Sequence, residues 1–171
     1  MKKNAGFLST LAAGLAVLVF AATAAGARAS NPAETKKVDP CSLLTKAEIQ
    51  EILGKPVSDG KLNTKANAAV GLPCEFTVGD YGVVSILAVE AMPSNAPDKV
   101  MESLKKMNIQ VADAPGIGDR SFFADMGYGM LQLNTWKGLN YLILTLSVPG
   151  ATEAQQKAAA GKLMGKILPR L

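Results

Sequence analysis

The sequence predicts an α+β fold: an antiparallel β-sheet of hairpins, helices packed on one face, and one disulfide. Three observations carry this expectation. Thr45-Lys46-Ala47-Glu48 and Thr152-Glu153-Ala154-Gln155 are T-x-x-[EQ] capping boxes, each opening a stretch with helical character. Between them, "LPCEFTVGDYGVVSILAVEA" and "MLQLNTWKGLNYLILTLSV" alternate apolar and polar residues around turn-forming residues, the pattern of half-buried antiparallel strands. The chain has only two cysteines, and it begins as exported proteins begin.

Residues 1–29 read as a secretory signal peptide. Met1-Lys2-Lys3 supplies a positive start, Phe7 to Ala25 is almost wholly apolar and small, and Ala27-Arg28-Ala29 fits a small-x-small cleavage site. Ala22-Thr23-Ala24 and Ala25-Gly26-Ala27 compete as cleavage sites, and an uncleaved anchor is the alternative to removal. The expected location is therefore outside the cytoplasm, periplasmic or extracellular, with no stable membrane span after cleavage. Three of the 18 basic residues and none of the 14 acidic ones fall in this segment. The mature chain is thus nearly neutral, which gives no electrostatic footprint for nucleic acid.

Residues 30–39 form a polar leader, and residues 40–171 are long enough for a single α+β domain. Cys41 lies beyond that polar stretch, which is a poor position for a lipid-bearing cysteine. The chain contains no histidine, so Cys-His and Ser-His-Asp catalysis and histidine ligation of zinc or haem are excluded. Two cysteines 33 positions apart resemble neither a C-x-x-C redox pair nor a zinc site. In an exported chain the remaining reading is a Cys41–Cys74 disulfide. No metal or cofactor is called for.

The first capping box predicts a short helix at about residues 46–53, with Ile49, Ile52 and Leu53 on one face and Gly54 as its left-handed stop. Residues 55–71 hold one weak strand and a long loop. Leu72, Cys74, Phe76 and Val78 point to the core, and Val78 is expected to pair with Val83 across Gly79-Asp80-Tyr81-Gly82. A second helix starts at Asn95-Ala96-Pro97-Asp98 and runs to about Met107, burying Val100, Met101, Leu104 and Met107. After the loop at residues 114–118 come a strand at 120–124 and a turn at 125–129. The closing hairpin pairs Trp136 with Tyr141 and sends Leu131, Leu133, Leu142, Leu144 and Leu146 inward. The last helix reaches about Leu168, and its small Ala158, Gly161 and Gly165 predict close approach to the sheet.

"DPCSLLTKAEIQEILG", "PCEF" and "PGIGDRSFF" together resemble a family of exported bacterial domains of unknown function. Its members open with D-P-C-x-L-L, carry a second cysteine beside an aromatic residue, and often have a P-G-[IVL]-G-D loop before a strand. The likeness spans roughly residues 38–148. It implies a disulfide-linked domain outside the cytoplasm, often on a lipoprotein, although this chain lacks a lipobox cysteine. It implies no particular activity.

Three catalytic patterns are weak. Ser103-Leu104-Lys105-Lys106 matches S-x-x-K but sits within a helix and has no partner motif. Gly116-Ile117-Gly118-Asp119 precedes a strand, whereas a phosphate loop precedes a helix. Asp113, Asp119, Asp125 and Glu75 are the carboxylates available to an acid-dependent hydrolase. The outer face of the last hairpin is more informative. It groups Trp136 and Tyr141 with Asn134 and Gln132, and Tyr128 in the preceding turn joins them as a candidate ligand-binding residue. Such a surface suits an amphipathic small molecule or a polypeptide, unless a helix or the N-terminal segment covers it. The function expected is an exported, non-catalytic binding module of the bacterial envelope. The alternative is an envelope protein-interaction or inhibitor domain.

Overall fold

Two sequence boxes fix where the first and last helices begin in the computed structural model, which describes residues 37–171. The expected signal peptide and most of the polar leader lie outside the described residues. The elements run α1 (Lys46–Leu53), β1 (Lys61–Leu62), β2 (Cys74–Val78), β3 (Gly82–Val89), α2 (Ala96–Lys106), β4 (Gln110–Asp113), β5 (Arg120–Gly127), β6 (Met130–Lys137), β7 (Asn140–Ser147) and α3 (Glu153–Ile167). A 3₁₀ turn at Pro40–Ser42 precedes α1, and another at Leu168–Arg170 follows α3. Among the described residues, no helix is long and apolar enough to cross a membrane.

Both boxes close. Thr45 Oγ1 accepts from the Glu48 N–H at 3.3 Å, and the Glu48 carboxylate accepts from the Thr45 N–H at 2.9 Å. Thr152 and Gln155 repeat the exchange at the start of α3. Gly54 ends α1 with φ 62°, a left-handed conformation that costs glycine little. The second helix has the expected extent, but Asn95 makes no side-chain cap bond and Met107 is 61% exposed rather than buried. Met107 already stands past the last helical residue, so the chain has left the face that Leu104 buries.

All seven strands are antiparallel neighbours in one sheet, ordered β1-β2-β3-β7-β6-β5-β4. The β2–β3 hairpin pairs Val78 with Gly82, not with Val83. A Cβ on Gly82 would stand 2.6 Å from the Val78 carbonyl and 2.8 Å from that of Ser147, so only glycine fits there. This register turns Val84 and Ile86 to the core and leaves Val83 half-buried on the other face. At the far end, Trp136 pairs with Tyr141 and Lys137 with Asn140, so the turn itself is only Gly138-Leu139.

The antiparallel sheet, the helices and the disulfide make an α+β fold. The helices divide between the two faces, however, instead of sharing one. α1 and α3 cover the inner face, where Ile49, Phe76, Leu144 and Leu163 belong to one fully buried cluster. α2 lies on the opposite face, where Leu104 joins Phe122, Ala124, Trp136 and Tyr141. Strand alternation requires this division: Leu133 and Trp136 differ by an odd number of residues on β6 and so face opposite ways. α3 reaches the sheet through Ala160, Leu163, Met164 and Ile167, all buried. Gly161 and Gly165 are not its contact points, because a Cβ at Gly161 would touch only Ile117 at 3.7 Å and one at Gly165 would meet nothing.

Cys41 and Cys74 are bonded, with Cα atoms 5.1 Å apart. The bridge fastens the 3₁₀ turn, and through it Leu43 and Leu44, to β2. Both leucines are at most 2% exposed, and burial of each is worth about 1.5–3 kcal/mol.

Candidate functional site

Three of the five expected binding residues come together on the outer face. Trp136 and Tyr141, opposite each other across β6 and β7, stack with ring centroids 4.2 Å apart and planes 10° apart. Phe122 flanks the indole at 5.7 Å. Asn134 lies two residues along β6 on the same face, and its Oδ1 accepts from the Tyr141 hydroxyl at 2.6 Å. Burial raises the Tyr141 pKa well above the usual phenol value.

This centre is covered, not open. Asn134 is 1% exposed, Trp136 4% and Tyr141 6%, with α2 supplying Val100, Met101 and Leu104 to the same cluster. Beneath that cover, Asn134 Nδ2 and Trp136 Nε1 have no hydrogen-bond partner. Gln132 shares the face but lies four residues from Trp136, half-buried and paired with Thr145. Tyr128 stands apart from the group. It is fully exposed in the β5–β6 turn with φ 53°, at the opposite end of β6 from Trp136.

The carboxylates are dispersed among local bonds. Asp113 pairs with Arg120 at 3.3 Å, Asp125 accepts from the Gly127 N–H at 2.9 Å, and Glu75 accepts from Asn63 at 2.8 Å. Asp119 accepts from the Gly138 N–H at 2.7 Å and from Lys137 Nζ at 3.2 Å, and these bonds, Gly138's first, lower its pKa. Ser103 is exposed on α2, and Lys106 is paired with Glu102 at 2.7 Å.

The Gly116–Asp119 loop buckles the last hairpin. The Asp119 N–H donates to the Trp136 carbonyl at 2.8 Å, while its carboxylate receives Gly138 from the next turn. Gly118 has φ 61°, and a Cβ there would lie 2.5 Å from the Trp136 carbonyl oxygen. The loop thus holds the strand end that carries Trp136.

Two features carried no sequence signal. Arg170 reaches back to the α1 cap, pairing with Glu48 and donating to the Leu43 carbonyl at 2.7 Å. A cleft of about 480 Å³ separates the end of α1 from the start of α3, with Ile52, Leu53 and Val148 among its apolar walls and Lys55 and Lys162 among its polar ones. Both features join segments roughly a hundred residues apart, so neither produces a local pattern. No family model, curated protein or solved structure matches the chain.

Proposed function

We propose that this protein is an exported, non-catalytic binding module whose site is the Trp136–Asn134–Tyr141 centre of the outer sheet face. One observation carries the reading: Asn134 Nδ2 and Trp136 Nε1 are neighbouring buried donors without acceptors. Leaving a buried donor unpaired costs about 1–3 kcal/mol, and folded proteins do so rarely. Two such donors on one face call for an acceptor from outside the chain. The stacked rings beside them suit the apolar part of the same ligand. Such a ligand is amphipathic, and α2 must shift to admit it.

The disulfide supports export, because such bonds persist in oxidising compartments. The separate engagement of Asp113, Asp119, Asp125 and Glu75 leaves the hydrolase reading without a pair of carboxylates to work with. The protein-interaction alternative draws on the part of the outer face that α2 leaves open, where Val83, Leu87 and Gln132 are half-buried and Met130 is exposed.

Native mass spectrometry of protein purified from its own envelope tests the reading. The wild type should retain a non-covalent small molecule. Trp136→Phe, which keeps a ring and removes only the N–H donor, should fold and lose it. A wild type without bound mass, or an equal mass retained by Trp136→Phe, would overturn the assignment.

A further inference from the structure

The cleft on the inner side of the domain is independent of the Trp136 centre, and its lining is chemically one-sided. One wall is the end of α1, with Ile52 and Leu53, followed by half-buried Lys55; the other is α3 from its start to its middle, with Ala159 and exposed Lys162. Val148 forms part of the floor. Its volume of about 480 Å³ lies within the range of small-molecule sites. Neither Lys55 nor Lys162 is in an ion pair among the described residues, and no carboxylate lines the cleft. By contrast, Lys46 and Lys157 on the same two helices are paired with Asp59 and Glu153.

Gln156 adds a second, separate observation. It lies between the cleft and the smaller pocket beside Gly129, is 6% exposed, and donates through Nε2 to the Gly129 carbonyl at 3.2 Å, leaving Oε1 without a partner. The Gly129 carbonyl can only accept, which assigns Nε2 to that contact and leaves Oε1 as the unsatisfied atom. The start of α3 also borders the cleft, with the positive end of its dipole. Apolar walls, two unopposed ammonium groups and an orphan acceptor define the occupant by complementarity.

We infer that this cleft binds a small amphipathic carboxylate that also carries an N–H or O–H donor, in the manner of an N-acyl amino acid. Lys55 and Lys162 hold the carboxylate. Ile52, Leu53 and Val148 take the apolar chain, and Gln156 Oε1 accepts from the donor. The site stands on the face opposite Trp136, so it goes beyond the reading proposed above and does not depend on it.

The test uses N-decanoylglycine as probe, decyltrimethylammonium as its cationic counterpart, and amide NMR shifts of the uniformly labelled domain as readout. N-decanoylglycine should move the resonances of Ala151, Gln156 and Ala159, while the cation should not. Lys162→Glu, an exposed position, should weaken binding at least tenfold. Ala158→Trp, also exposed and on the cleft wall, should block it by filling the space. Absence of binding, equal binding of the cation, or unchanged affinity in both variants would overturn the inference. Trp136 fluorescence should stay constant throughout, which separates this site from the outer-face one.

Discussion

Arg170 grips Glu48 with two guanidinium nitrogens across 122 residues of sequence, tying the C-terminal turn to the cap of the first helix. The Arg170 hydrogen bonds, with lesser help from Thr45, lower the Glu48 pKa from 4.5 to about 2. The folded state therefore binds this proton less readily than the unfolded chain. The resulting stability is present above about pH 4.5 and is lost as the pH falls toward 2. Because Arg170 is 35% exposed, solvent screening reduces the contribution to at most about 1 kcal/mol. Urea denaturation at pH 6 and pH 3 should show Arg170→Met less stable at the higher pH and closer to wild type at the lower. A constant difference between the two proteins would sink this account.

The disulfide should matter through the unfolded chain. Cys41 and Cys74 are 33 residues apart, and a loop of that length is worth roughly 3.8 kcal/mol in the chain-entropy model. Cys41→Ala/Cys74→Ala should unfold at lower urea by about that amount. Non-reducing mass analysis of the wild type should find no free thiol among the two cysteines.

Gly118 and Gly116 offer a matched pair of substitutions. Both have positive φ, but a Cβ at Gly118 would collide with the Trp136 carbonyl at 2.5 Å, whereas one at Gly116 meets open space. Gly116→Ala should cost about 1 kcal/mol, from backbone strain alone. Gly118→Ala should cost about 2–4 kcal/mol and disturb the β6–β7 turn. Thermal denaturation distinguishes them, and equal losses would mean that the loop does not brace the hairpin.

α2 shields the Trp136 cluster through Leu104, which is 8% exposed, together with Val100 and Met101, and not through Met107, which is 61% exposed. Leu104→Ala should cost about 2 kcal/mol and shift the emission of the single tryptophan to the red. Met107→Ala should change stability by under about 0.5 kcal/mol and leave the emission unaltered.

Much of this architecture was legible because its signals are local. The capping boxes at Thr45 and Thr152 each lie within four residues, and the Trp136–Tyr141 register follows from a short turn between alternating runs. The side chosen by α2 was not legible. Its stripe at Val100, Met101 and Leu104 says that one helical face is buried, but strand alternation offers two sheet faces to receive it. The same ambiguity leaves open in the sequence whether a helix covers Trp136 and Asn134, and α2 is the element that does. Tyr128 lies just before β6 in the sequence, yet a positive-φ turn at the far end of the strand carries it away from Trp136. β4 leaves no sequence signal because Gln110-Val111-Ala112-Asp113 is too short to show alternation.

The sheet order has a temporal meaning for a chain made from its N-terminus. Before β7 exists, β1-β2-β3 and β6-β5-β4 are two three-stranded patches that share no hydrogen bonds. β7 joins them by zipping to β3 on one side and β6 on the other, and α3 then seals the inner face. Residues 140–171 thus convert two open fragments into one domain. Until residues 140–171 are made the chain has no complete sheet, and their arrival closes it.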